Sequence, residues 1–169
     1  TPLGFQQAQE GAEKLYEELK EKIESGEEII VISSEMTRAK DTAQVFINLV
    51  RERTGRNLEL VADKGANEIS FGVLNNKTEE EAQEFKDIIE RYRRGLDATV
   101  KAPGGESFLE LIGRVKQWAE QLNEKYRNKT VVLFGHGTFL GALRVLLGDQ
   151  NIIDQGRDGV GECRGGAGQ

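Results

Sequence analysis

The single histidine of this 169-residue chain, His136, stands between Gly135 and Gly137. It follows the apolar run Val131-Val132-Leu133-Phe134, and residues Phe139 to Leu147 continue at helical density until Gly148. That pattern reads as a strand buried on both faces, a tight turn and a helix. His136 is therefore expected at the carboxyl end of a strand, the edge where open α/β sheets bind ligands. The flanking glycines let backbone approach a ligand and leave amide N–H groups free at the helix start, which suits an anion. Two further turns offer polar groups: Ser33-Ser34 with Arg38 after a second apolar run, and Asn67-Glu68 in an irregular stretch. A guanidinium, an imidazole and helix-start amides together suit a phosphoryl group. A nearby carboxylic acid could protonate a leaving oxygen. Taken one at a time, each residue has an ordinary structural use: His136 as a hydrogen-bonded turn residue, Arg38 as a solvated helix residue, Glu68 as a solvent-facing loop residue.

Those three turns need elements to carry them. Thr1 to Ser25 predicts a helix with Thr1 as N-cap, Pro2 in its first turn and an apolar face of Phe5, Ala8, Ala12, Leu15, Leu19 and Ile23. Glu28 to Ser33 predicts a short buried strand, followed by a helix to about Arg53. Leu58 to Val61 is a weaker strand, and Asp63 to Asn76 a loop. Thr78 predicts the cap of a charged helix through Arg94, with Glu81 in capping-box position. Residues 95–105 form a connection with a Pro-Gly-Gly turn, and Ser107 opens a helix to about Tyr126. Alternation of strand and helix without hairpin signals predicts an α/β fold with a mostly parallel sheet. Residues 149–169, rich in glycine and poor in apolar residues, read as a flexible tail or loop beyond a domain spanning 1–148.

Composition narrows the function classes. A formal net charge of −6 with 31% charged residues does not suggest a nucleic-acid surface. There is no apolar span of membrane length and no visible signal peptide. One cysteine, Cys163, rules out an intrachain disulfide framework and fits a reducing, cytoplasmic setting. One histidine and one cysteine also argue against a zinc site. The chain opens at Thr1-Pro2 without methionine, which predicts residues lost or left out upstream.

Five motifs in order resemble the histidine phosphatase superfamily, the phosphoglycerate-mutase-like proteins. Thr1 to Ala8 (TPLGFQQA) resembles its L-T-x-x-G-x-x-Q-A helix start, and Ser33 to Ala43 (SSEMTRAKDTA) its S-S-x-x-x-R-A-x-x-T-A segment. Asn67 to Gly72 (NEISFG) resembles the E-x-x-F/Y-G loop, Gly104 to Ser107 (GGES) the G-E-S helix start, and Gly135-His136-Gly137 the second-histidine motif. The resemblance implies phosphate-monoester hydrolysis or phosphoryl transfer through a phosphohistidine, on a small phosphorylated substrate, with no metal or organic cofactor. Arg38 and His136 would bind the phosphoryl group with Ser34 beside them, and Glu68 would be the acid or base at the leaving oxygen. His136 would also stabilise transition-state charge.

The family's nucleophilic histidine lies in an R-H-G motif after a first strand, and neither occurs in this sequence. The resemblance thus implies a three-layer α/β/α fold with a mostly parallel sheet, in a fragment whose first strand is absent. It also implies a gap in the middle of the sheet, between the strands around Ile30 and Val132, and hence a poorly stable chain. A second reading has Asn151 to Gly159 supply that strand, with Asp158 in place of the histidine. Two rival functions stay open: a non-catalytic phosphate-binding domain of the same fold, and an interaction module with no anion site. Arg91, Arg93 and Arg94 on the charged helix could contact an acidic substrate or simply form a solvated face.

Overall fold

A computed structural model describes residues 1–94, 97–148, 152–154 and 160–163. In chain order the elements are helix α1 (Pro2–Glu24), strand β1 (Ile29–Ser33), helix α2 (Thr37–Thr54), strand β2 (Leu60–Ala62), helix α3 (Lys86–Arg94), helix α4 (Phe108–Lys125), strand β3 (Thr130–Phe134), helix α5 (Gly137–Leu147) and strands β4 (Ile152–Asp154) and β5 (Val160–Cys163). Among the described residues no helix is long and apolar enough to cross a membrane.

The sheet runs β2-β1-β3-β5-β4. β2, β1 and β3 are parallel, β5 is antiparallel to β3, and β4 is antiparallel to β5. The strands of the parallel core are apolar on both faces because both faces are covered. Val31, Val132 and Phe134 face one core with Leu15, Leu19 and Ile23 of α1 and Phe46 and Val50 of α2. Ile32, Val131 and Leu133 face the other, with Leu111, Val115 and Trp118 of α4 and Phe139, Leu140 and Leu143 of α5. Successive strand residues thus feed opposite layers, as the pleat requires. This is the predicted three-layer α/β/α arrangement.

Local signals set the helix ends. Thr1 Oγ1 accepts from the Gly4 N–H at 3.1 Å. Ser107 and Glu110 form a reciprocal capping box at α4, with bonds of 3.1 and 3.0 Å. Gly55 and Gly148 close α2 and α5 in the left-handed conformation, with φ of 75° and 67°.

Four expectations need correction. The implied gap between the strands around Ile30 and Val132 does not exist: β1 and β3 pair directly from Ile29↔Thr130 to Ser33↔Phe134. Direct pairing satisfies backbone groups that a gap would bury unpaired. The stretch read as a flexible tail contributes two strands, and β5 pairs along β3 from Val131↔Cys163 to Phe134↔Val160. Two consecutive isoleucines carry too little signal to announce β4, whereas β3 has a second edge whose N–H and C=O groups recruit a partner. The rest of that stretch, Asp158 included, lies outside the described residues. The charged helix expected from Thr78 is α-helical only from Lys86. Thr78 and Glu81 do exchange capping-box bonds, but turns and a 3₁₀ segment (Gln83–Phe85) follow them. Finally, Phe5 does not join the apolar face of α1. It is 58% exposed, since the first turns of α1 project past the core.

Candidate active site

Parallel pairing brings the two site-bearing turns to the same edge. Ser33 lies opposite Phe134, so the chain leaves β1 at Ser34 and β3 at Gly135 on one level. The Ser34 N–H donates to the Phe134 carbonyl at 3.3 Å, extending the ladder one residue beyond the strand. Ser34 and His136 are both buried, whereas Arg38, in the first turn of α2, is exposed.

The three side chains meet. Ser34 Oγ is 2.7 Å from His136 Nε2, and Arg38 Nη2 is 3.2 Å from His136 Nδ1. A guanidinium has donors only, so Nδ1 must present its lone pair to Arg38. The ring is then neutral, with its proton on Nε2 donated to Ser34 Oγ. The electrostatics agree. Burial, and then the Arg38 charge, hold the His136 pKa below the ordinary imidazole value, against a smaller opposing pull from Glu68. Ser34 Oγ also accepts from the Met36 N–H at 3.3 Å, which fixes the turn.

Glu68 reaches the same place from the other side. Its Oε1 accepts from the N–H groups of Phe139 (2.8 Å) and Ile69 (2.9 Å), and its Oε2 from the N–H of Thr138 (3.0 Å). His136 is the N-cap residue of α5 but makes no side-chain cap bond. Glu68 caps the helix instead, placing a carboxylate where the dipole and free amides favour negative charge. All four predicted residues, Ser34, Arg38, Glu68 and His136, therefore gather around the turn between β3 and α5. Glu68 arrives with both oxygens engaged rather than aimed at open solvent.

The loop that carries Glu68 is held from outside the site by residues that sequence reasoning missed. Arg114 of α4 donates from Nε to Glu106 Oε1 (2.8 Å) and from Nη2 to Glu106 Oε2 (3.1 Å). It also donates to the carbonyls of Gly65 (3.0 Å) and Asn67 (3.1 Å). One guanidinium thus fastens the loop just before Glu68. Trp118 Nε1 donates to Asp63 Oδ2 at 2.9 Å, and the Trp118 ring lies so close to Gly65 that a Cβ there would come within 2.1 Å of Cδ1. Asn67 ties this loop to the first turn, its Oδ1 accepting from the Glu35 N–H at 2.9 Å. Glu106 stands just before the Ser107 cap, outside α4, so no helical spacing in the sequence announces its pairing with Arg114.

Two cavities flank this centre. The first, about 720 Å³, is lined by Arg38, Gly135, His136 and Gly137 and by the first turns of α1, including Phe5. The second, about 680 Å³, opens past Thr138 and Ile69 toward Leu74, Ile89 and Arg91. The side chains of Arg93 and Arg94 lie outside the described residues. No three His, Cys, Asp or Glu gather as a metal site would require among the described residues.

The chain is similar to known proteins in sequence and fold. A bifunctional protein of Mycobacterium tuberculosis is 34% identical over 109 residues, which is 64% of this chain. The chain spans only 28% of that relative's length. A solved mycobacterial glucosyl-3-phosphoglycerate phosphatase superposes with a TM-score of 0.66 at 26% identity, covering 87% of this chain and 67% of its own. A phosphoserine phosphatase mutant from Entamoeba histolytica, solved with phosphoserine, gives 0.62 at 27% identity, covering 88% and 66%. The profile of the histidine phosphatase superfamily (branch 1) matches residues 1–155, and so takes in β1, β3 and every side chain gathered at the turn. By that match, this chain belongs to the histidine phosphatase superfamily.

Proposed function

We propose that this chain forms the phosphate-binding and acid–base part of an enzyme that cleaves phosphate monoesters through a phosphohistidine. The observation that carries the reading is the contact of Arg38 with a buried imidazole at 3.2 Å, at the carboxyl edge of a parallel sheet. An incoming phosphoryl group would take the place of that contact. Arg38 would then donate to two phosphoryl oxygens and His136, protonated at Nδ1, to a third. Ser34 would keep the ring oriented through Nε2. Glu68 would leave the α5 amides and give a proton to the departing alkoxide, later taking one from the attacking water.

The nucleophile in this reading is a second histidine, carried by an R-H-G segment that the 169 residues do not include. The cavity of about 720 Å³ beside Arg38 and His136 offers it room. Its imidazole nitrogen would attack phosphorus, forming an N–P bond as the ester P–O bond breaks. Water would then cleave the N–P bond and release inorganic phosphate. The substrate is a small phosphorylated molecule, and the single cysteine suits a cytoplasmic setting.

The second reading, a phosphate-binding domain without catalysis, draws on Glu68, whose oxygens are all committed to backbone amides. One experiment separates the two. The 169-residue chain and a longer protein carrying an upstream R-H-G segment are each mixed with a ³²P-labelled monoester and quenched in alkali. Alkali-stable, acid-labile label on the longer protein, and none on the shorter, supports the enzyme. Phosphate binding by both without label on either supports the binding domain.

A further inference from the structure

We infer that the second cavity receives the alcohol side of the substrate, and that this alcohol is a neutral, mainly apolar group such as an arylalkyl chain rather than a polyol. The inference rests on the phosphate reading above and adds the substrate class. Four observations carry it.

The first is position. Thr138 and Ile69 line this cavity, and the N–H groups of both bind the Glu68 carboxylate. A phosphoryl group held by Arg38 and His136 would have its ester oxygen facing Glu68, and whatever that oxygen carries would run past Thr138. The second is the wall. Ile69, Phe71, Leu74, Ala82, Ile89 and Phe108 face the cavity with side chains that cannot accept or donate hydrogen bonds. A polyol laid against those six side chains would lose its water with no hydrogen-bond partner on them, although Lys77, Thr78, Glu79, Arg91, Asp97 and Thr138 also line the cavity. An apolar group gains on the same transfer.

The third is charge. Lys77 and Arg91 stand at the cavity, but so do Glu79 and Asp97. Among the described lining residues the charges offset one another, which favours an uncharged group over a second anion. The fourth is size. A volume of about 680 Å³ lies within the range of small-molecule pockets and exceeds what a methyl or hydroxymethyl group needs.

The test uses the 169-residue chain and non-hydrolysable phosphonates, so that it does not depend on turnover. Calorimetry compares inorganic phosphate, 3-phenylpropylphosphonate and 2,3-dihydroxypropylphosphonate. The phenylpropyl compound is expected to bind at least about tenfold tighter than the dihydroxypropyl one. Leu74→Asn and Ile89→Asn should remove that advantage and leave inorganic phosphate binding unchanged, which also shows that the variants fold. Equal binding of the two phosphonates, or preference for the diol, overturns the inference while leaving the phosphate site standing. An advantage that survives both substitutions overturns the assignment to this cavity. Failure of inorganic phosphate and both phosphonates to bind overturns the phosphate reading, and the inference falls with it.

Discussion

The two halves of the site are built in opposite ways. Ser34 and His136 stand on turns that leave neighbouring parallel strands, so five consecutive register pairs of the sheet fix their separation. Glu68 stands on a loop with little regular structure, and its place is fixed by Arg114, Glu106 and Trp118, which lie 38 or more residues further along the chain. The first half inherits its precision from backbone pairing. The second depends on a few side chains, each removable by one substitution. Damage to the Glu68 half should therefore show in stability, and damage to the Arg38 half in anion affinity.

The largest expected effect attacks the loop. Arg114→Ala takes the guanidinium away from the Glu106 carboxylate, only 16% exposed, which keeps the Ser70 N–H at 3.4 Å, and frees the Gly65 and Asn67 carbonyls. Breaking a buried pair this way costs about 3–5 kcal/mol, and the partial exposure of Arg114 lowers that to about 2–3 kcal/mol. Urea unfolding measures it. An unchanged midpoint would mean the loop is held by something else and that the two halves do not differ as described.

Arg38→Ala comes next and should do the reverse. Losing one charge-assisted donor pair should weaken sulfate or phosphate binding about 10–30-fold, read by calorimetry, with little change in the urea midpoint because Arg38 is exposed. A large fall in stability would place Arg38 among the structural residues. Smaller again is Glu68→Ala. It removes the cap of α5, at a cost of about 1 kcal/mol. Tighter sulfate binding in this variant would show that the carboxylate competes with anions for the α5 amides.

The mildest probe is pH. The His136 pKa is lowered in the folded chain, so the unfolded chain takes up a proton that the folded chain resists. This contribution to stability is complete above the ordinary histidine value of about 6.5 and is lost as pH falls toward the folded pKa. His136→Gln should flatten that part of the stability–pH curve. Sulfate, a dianion throughout this range, should bind the wild-type chain more tightly as pH falls, because the proton on Nδ1 converts an acceptor into a donor. Binding that weakens on acidification would contradict the neutral tautomer assigned to the ring.

The same contrast explains what could be read from the sequence. The Ser34, Arg38 and His136 half was legible because its signals are local: an apolar run, a turn and a helix start within a dozen residues. Glu68 stood out only as a polar residue in an irregular stretch, and its tie to the other two turns came from the resemblance of Asn67 to Gly72 to a family loop. Its support was invisible, since Arg114 looks like any polar residue on an amphipathic helix until α4 is docked against the loop. The strand partners failed for a related reason. Which strand lies beside which depends on distant edges, so the direct pairing of β1 with β3 and the recruitment of Val160–Cys163 were beyond a reading of runs and breaks.

The match between Ser33 and Phe134 also sets where the chain tolerates changes in length. Residues added to the connections before β1 or after α2 can be taken up at the surface. A residue inserted within Ile29–Ser33 or Thr130–Phe134 cannot. It would slide one turn along the other by about 3.3 Å and send the following side chain to the opposite face. Ser34 and His136 would then part company with every side chain of the site still present, so an insertion scan across the two strands should separate possession of these residues from their use.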